Sequence, residues 1–449
     1  MIDINTILLH HLASGIGAAS KLRADCPELT AAITRLLQAR TDVTRLLCAE
    51  RVARLVLIRN DLTELTQVRS ALARQELRGL ISYPKQRDHT AHTVFLYLLG
   101  VWFYDNVPRI RSAITDAGLS TIDFLDQWVI ASLLHDVGYI LYDLSADTRR
   151  DRRRLDEMYT AAWVDSQIAG PARAAFRQAQ DEWSRRFRNA VLPFAGLEAR
   201  SLPSAINQLA SAPWLGDLDP SWQTSDLLDL LEFQAPNTGF LRQYTAEVAR
   251  SGYGGTNPCL DHAVGSAIIL LRYCTYWYWL QTRVPPDLAS VANTNLAKGI
   301  SYTYSLAGLL ETVVPGCRAV AHHNLQPTVA GVASVIPTAV TLQTAPVAYL
   351  AVLCDELQKW DRFPSGKALR DVYPREVPGS FEAFDLALCA AGDHPSSQGG
   401  LNEARAVFTV GKRGYKPADL LNTLDARAPS WRDVACVRRA SERWAAFWK

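Results

Sequence analysis

The chain has no Cys-x-x-Cys pair, and its eight cysteines (Cys26, Cys48, Cys259, Cys274, Cys317, Cys354, Cys389 and Cys436) are scattered over 449 residues. That spacing excludes a tight disulfide framework and predicts buried thiols in a reducing cytoplasm. Neither sign of charge is in excess: the formal net charge of +2 argues against a dedicated nucleic-acid surface held by overall electrostatics. No basic segment stands at the start, so no secretory signal is expected. Long apolar runs free of charge are missing too. The most apolar stretch, Ala263 to Leu280, is near the lower length limit for a membrane span and carries Arg272 in its middle, so it reads as a buried helix in a soluble protein. Gly252-Tyr253-Gly254-Gly255 lacks the strand-then-helix setting of a phosphate loop and reads as a connector. There is no internal repeat and no low-complexity tract.

What the chain does have is apolar residues at helical spacing. Hydrophobic residues make up 48% and charged residues 20%, a globular balance. The length exceeds a usual single core, which predicts two or three domains or one heavily elaborated domain. Leu29, Ile33, Leu36 and Leu37 mark one helix of an N-terminal helical element over residues 1–84, which carries no chemistry. Pro84 ends it. The next helix opens on Arg87-Asp88-His89 and continues through His92 into an apolar run. A second is expected from about Ile122 to Leu141, carrying His135-Asp136-Val137-Gly138-Tyr139, where Gly138 would let another segment approach closely.

Residues 143–258 change in texture and read as an irregular helical insertion. Its arginine run, Arg149, Arg150, Arg152, Arg153 and Arg154, is interspersed with acidic residues and reads as a solvated helix face; a lid touching substrate phosphates is the sharper alternative. Further helices open at Asp261-His262, lead into Cys317 to His322-His323-Asn324, and run from Pro346 through Asp355. The aromatic run Tyr276 to Trp279 reads as core. Residues 363–449 have a mixed pattern, with Phe381 to Leu388 and Arg405 to Val410 as candidate short strands.

Six of the nine histidines fall between 89 and 323 in otherwise apolar helical settings: His89, His92, His135, His262, His322 and His323. With Asp136 and Asp355 they supply the imidazole and carboxylate donors that a pair of divalent cations takes. Helices are rigid platforms for such a site.

This order resembles the HD superfamily of metal-dependent phosphohydrolases, named for the pair that stands here as His135-Asp136. The third histidine opening a helix, the His-His pair and the closing Asp are similar to its HD-GYP branch. The resemblance covers residues 85–362. Two departures stand out: Tyr139 occupies a position where that branch usually has Lys, and Asn324-Leu325-Gln326-Pro327 follows the His-His pair in place of Gly-Tyr-Pro.

The resemblance implies a mainly α fold: a helical HD core with a long helical insertion and a small α+β C-terminal appendage. It implies two divalent metals (Mn, Fe, Ni, Mg or Zn) held by His92, His135, Asp136, His262, His322, His323 and Asp355. His89 remains an alternative to His92 as the first ligand. It also implies hydrolysis of a small phosphorylated substrate, a nucleotide or other phosphoester, by a metal-activated water. Asp136, His89 and Arg87 are then the candidate catalytic groups, with Arg87 or a histidine free of metal stabilising the leaving group. An HD-type di-iron oxygenase and a non-catalytic nucleotide-binding module are the other classes expected from such a ligand set.

Overall fold

The structure, a computed structural model, describes residues 4–290, 306–324 and 342–357, apart from 25–26, 40–41, 61, 83–88, 107, 143, 145–147, 191, 219–221, 223, 233–238 and 253–257. The described chain is helical, with one isolated antiparallel bridge between Ser211 and Asp226 and no strand among the described residues. The expected mainly α character holds. The candidate strands after residue 363 and the whole 363–449 segment lie outside the described residues, as do Arg87 and Asp88. No described helix is long and apolar enough to cross a membrane. The chain forms two compact units, one from Met1–Val52, Glu76–Trp128 and the described part of Pro337–Lys449, the other from Ala53–Gln75 and Val129–Ile336.

The first unit is built on the Thr90–Asn106 helix, in which every residue from Thr90 to Tyr104 is buried. A helix apolar on all sides must be surrounded, and it packs against Gly17–Ala24, Pro108–Asp116 and Pro346–Leu357. Gly100 admits the ring of Trp128, which a Cβ would meet at 2.0 Å, and the Trp128 indole donates to the Tyr97 carbonyl at 3.0 Å. Carboxylates satisfy buried backbone donors that helix starts leave open: Glu76 accepts from the amides of His89 and Thr90 at the head of this helix. Asp105, near its end, accepts from Ala18 and Ala19 at 2.7 and 2.9 Å and pairs with His11 at 2.9 Å.

The second unit is built on the 21-residue His262–Thr282 helix. Asp261 caps it by accepting from the Val264 amide at 2.8 Å. Arg272, fully buried, donates to the carbonyls of Leu209, Ser211 and Ala190 and lies over the Trp214 ring. Burial pushes its guanidinium down to about 10, still charged at neutral pH. Residues 143–258 form short helices and 3₁₀ turns, among them Arg149–Glu157, Ala172–Arg186 and Phe240–Ser251. Their Tyr159, Trp183 and Trp214 join Tyr273, Tyr276 and Trp277 in a buried aromatic cluster; of the run Tyr276 to Trp279, Tyr276, Trp277 and Trp279 are core as expected and Tyr278 is half-buried. A π-helical turn at Leu309–Val313 stands just ahead of Pro315, whose missing N–H interrupts the regular ladder before Val314–His322 resumes it.

One expected helix is broken. The reading from Ile122 to Leu141 becomes Thr121–Leu133, a turn, and Tyr139–Tyr142, and His135-Asp136 occupy the turn. The amides of Val137, Tyr139, Ile140 and Leu141 bond three residues back, a tightened pattern. The cause is Ser266 of the crossing helix. Its hydroxyl accepts from the Gly138 amide at 2.7 Å and reaches the His135 carbonyl at 2.5 Å, a carbonyl that a continuous helix would give to Tyr139.

Candidate metal centre

In the second unit, His135 and Asp136 come from the turn, His262 is the first residue of the central helix, and His323 follows the end of Val314–His322. All four are buried. Nε2 of His135 lies 3.3 Å from Asp136 Oδ2, while Nε2 of His262 and of His323 lie 3.5 and 3.9 Å from Asp136 Oδ1. Ordinary N–H···O bonds are near 2.9 Å. Donors at about 2.1 Å from one cation stand about 3.0 Å apart at right angles and about 3.4 Å apart at the tetrahedral angle. The first two separations match that range, and donor atoms of His135, Asp136 and His323 all lie within 4.8 Å of one another. Asp136 Oδ2 faces His135, and its Oδ1 faces His262 and His323.

Local hydrogen bonds decide which ring nitrogen faces the carboxylate. His135 Nδ1 contacts the Ser132 carbonyl at 2.7 Å and His323 Nδ1 the Val320 carbonyl at 2.7 Å. A carbonyl can only accept, so each Nδ1 carries the proton and each Nε2 keeps its lone pair for a cation. His322 is held likewise, Nδ1 to the Arg318 carbonyl at 2.8 Å, and burial pushes its imidazole down to about 4, so it is neutral at pH 7. His322 belongs to no metal-sized group among the described residues, so of the expected His-His pair it is His323 that joins Asp136.

His262 is set differently. The Asn324 amide nitrogen lies 3.4 Å from its Nδ1 and 3.5 Å from Asp261 Oδ2. Tyr244, on Phe240–Ser251, donates its hydroxyl toward Asp261 Oδ2 at 3.3 Å. Tyr139 stacks on the His262 ring, centroids 4.2 Å apart and planes 18° apart.

In the first unit, His92 Nε2 meets Asp355 Oδ1 at 2.7 Å, both residues fully out of solvent, on the Thr90–Asn106 and Pro346–Leu357 helices. His89 is buried at the head of its helix with its amide held by Glu76. These groups, imidazole and carboxylate buried together, suit a divalent cation and neither thiolate nor oxygen-only coordination.

Ser266 and Tyr244 did not stand out in the sequence, and Tyr139 and Asn324 stood out there only as departures from the motif the chain resembles. Asp261 was legible only as a cap signal ahead of an apolar helix, and nothing local marks Tyr244. Comparison with protein-family models, with curated proteins and with solved structures returns no match.

Proposed function

We propose that the chain is a metal-dependent phosphohydrolase or phosphodiesterase of HD type, acting on a small phosphoester such as a nucleotide. The observation that supports this reading is the set of three imidazole Nε2 atoms, from His135, His262 and His323, turned toward the one buried Asp136 carboxylate. His135, His262 and His323 would be the neutral donors to a cation held here, and Asp136 the anionic one. The resemblance assigns His92 and Asp355 to metal as well. A divalent cation held there supplies Lewis acidity and a water acidic enough to yield hydroxide near neutral pH.

The remaining roles belong to side chains that bind and orient. Burial of all four donors keeps bulk water from competing for them and strengthens their field at the reacting phosphoryl group. His322, neutral at pH 7, suits ligation or proton acceptance better than stabilising a leaving group as a cation. The resemblance gives His89 and Arg87 the other catalytic roles.

The test is hydrolysis of a phosphoester panel, nucleoside monophosphates and bis(p-nitrophenyl) phosphate included, by protein loaded in turn with Mn²⁺, Fe²⁺, Ni²⁺, Mg²⁺ and Zn²⁺. Turnover that disappears in His135→Ala and Asp136→Ala is the expected result. Full activity in those variants, or no turnover with any metal, contradicts the proposal.

A further inference from the structure

His262 opens its helix, and that position creates a difficulty the other rings do not share. His135 and His323 each place Nδ1 on a carbonyl three residues earlier in the chain. The first residue of a helix has no helical turn behind it, and the preceding Asp261 has its side chain committed to the Val264 amide. The orientation of His262 must therefore come from elsewhere in the fold.

Beside the Asp136 carboxylate and the His323 ring, two further side chains bear on it. Tyr139 lies on its face, nearly parallel at 4.2 Å, and Asn324 reaches its Nδ1 edge at 3.4 Å. Both are themselves held. Tyr139 opens the short Tyr139–Tyr142 helix, whose approach to the central helix depends on Gly138 and Ser266. Asn324 is buried directly after His323, its amide near Asp261 and its carbonyl within reach of the Tyr244 hydroxyl at 3.4 Å. As placed, the Asn324 amide nitrogen can only donate to Nδ1; a ligating Nε2 needs the proton on Nδ1, which the carboxamide meets by turning to offer its oxygen. The backbone carbonyls behind His135 and His323 can only accept.

We infer that Tyr139 and Asn324 are the positioning residues of His262, which aim its Nε2 at the cation shared with Asp136. This inference rests on the metal reading above. It also gives a purpose to the two places where the chain departs from the motif it resembles: the residue after Gly138 and the residue after the His-His pair both serve one ligand.

Cobalt(II) separates this from a merely structural role, because its visible ligand-field band reports the donor set directly. The proteins compared are wild type, Tyr139→Phe, Tyr139→Leu, Asn324→Leu and His262→Ala, each checked for helicity by far-ultraviolet circular dichroism. Tyr139→Phe keeps the stack and should bind Co²⁺ within about twofold of wild type. Tyr139→Leu and Asn324→Leu should each weaken binding by about tenfold or more and shift the band. Combined with His262→Ala, neither should weaken binding further, since the ligand they position is gone. Folded Tyr139→Leu or Asn324→Leu protein with wild-type affinity and spectrum overturns the assignment, as does an equal loss in the His262→Ala background. Wild-type protein that takes up no Co²⁺ overturns the metal reading together with this inference.

Discussion

Gly138 lies so close to His262 that a Cβ at position 138 would meet the His262 carbonyl oxygen at 2.0 Å and the Ser266 amide nitrogen at 2.5 Å. The turn that carries His135-Asp136 therefore touches the first turn of the His262 helix backbone to backbone. Ser266 fastens the contact, its hydroxyl reaching the His135 and His262 carbonyls and accepting from Gly138. Histidines far apart in the chain are thereby brought to one carboxylate.

Gly138→Ala should cost upward of about 2 kcal/mol, because neither colliding atom belongs to a side chain that can swing away. Gly265 faces the same crossing, yet its added Cβ meets only Leu141 and Gly138 at 3.6 Å and beyond, ordinary contact. Gly265→Ala should be neutral or slightly stabilising, since Ala is the better helix former. Urea denaturation of the two variants checks the contrast, and equal losses would contradict the close approach.

The arginine run divides by burial. Arg152 is buried and donates to Thr148 Oγ1 at 2.6 Å, to Glu198 Oε2 at 3.0 Å and toward the Leu144 carbonyl at 3.3 Å. Arg149, largely exposed, shares Glu198. Arg152→Ala should cost about 2–3 kcal/mol through lost charged hydrogen bonds. Arg150→Ala, at an exposed position, should stay within about 0.5 kcal/mol of wild type. Thermal unfolding of the two single variants decides it. Arg152 is thus a strut of the fold, and the solvated-face reading fits its exposed neighbours.

Asp156 gives a pH dependence with a defined sign. Burial raises its carboxyl to about 7, although it accepts from the Phe194 amide at 2.9 Å and Arg272 and Arg152 pull it down. In the unfolded chain it ionises near 3.8, so between about 4 and 7 the folded state holds a proton that the unfolded state has lost. Its contribution to stability is full below that window and lost as pH rises through it. Glu232, raised to about 7 mainly by burial, acts in the same direction. Asp156→Asn keeps an acceptor for Phe194 and should flatten the decline in melting temperature between pH 5 and 7.5. An unchanged slope contradicts the assignment.

Much of this was legible because buried helices write themselves as apolar runs. Thr90–Asn106 and His262–Thr282 stand where the apolar stretches after His89 and Asp261 placed them, and His92, His135 and His262 have the buried settings those stretches implied. The turn at His135-Asp136 was not legible: the apolar run continues through it and masks the weak helix formers Asp136, Val137 and Gly138, and the contact that holds the break comes from Ser266, 131 positions away along the chain. The distinction between His322 and His323 was equally hidden, since it depends on how the last turn of Val314–His322 ends. Asn324 meets His262 and Tyr244 meets Asp261 across 62 and 17 positions of sequence, contacts that no local pattern records.

Metal content is the most direct test of the centre on Asp136. Protein purified without chelator and analysed by inductively coupled plasma mass spectrometry should carry a stoichiometric transition or divalent metal. Asp136→Asn, nearly the same in shape but without the charge, should lose most of it while keeping its helical circular dichroism. Wild-type protein free of metal and unable to take any up, or an Asp136→Asn variant with undiminished content, would contradict the account.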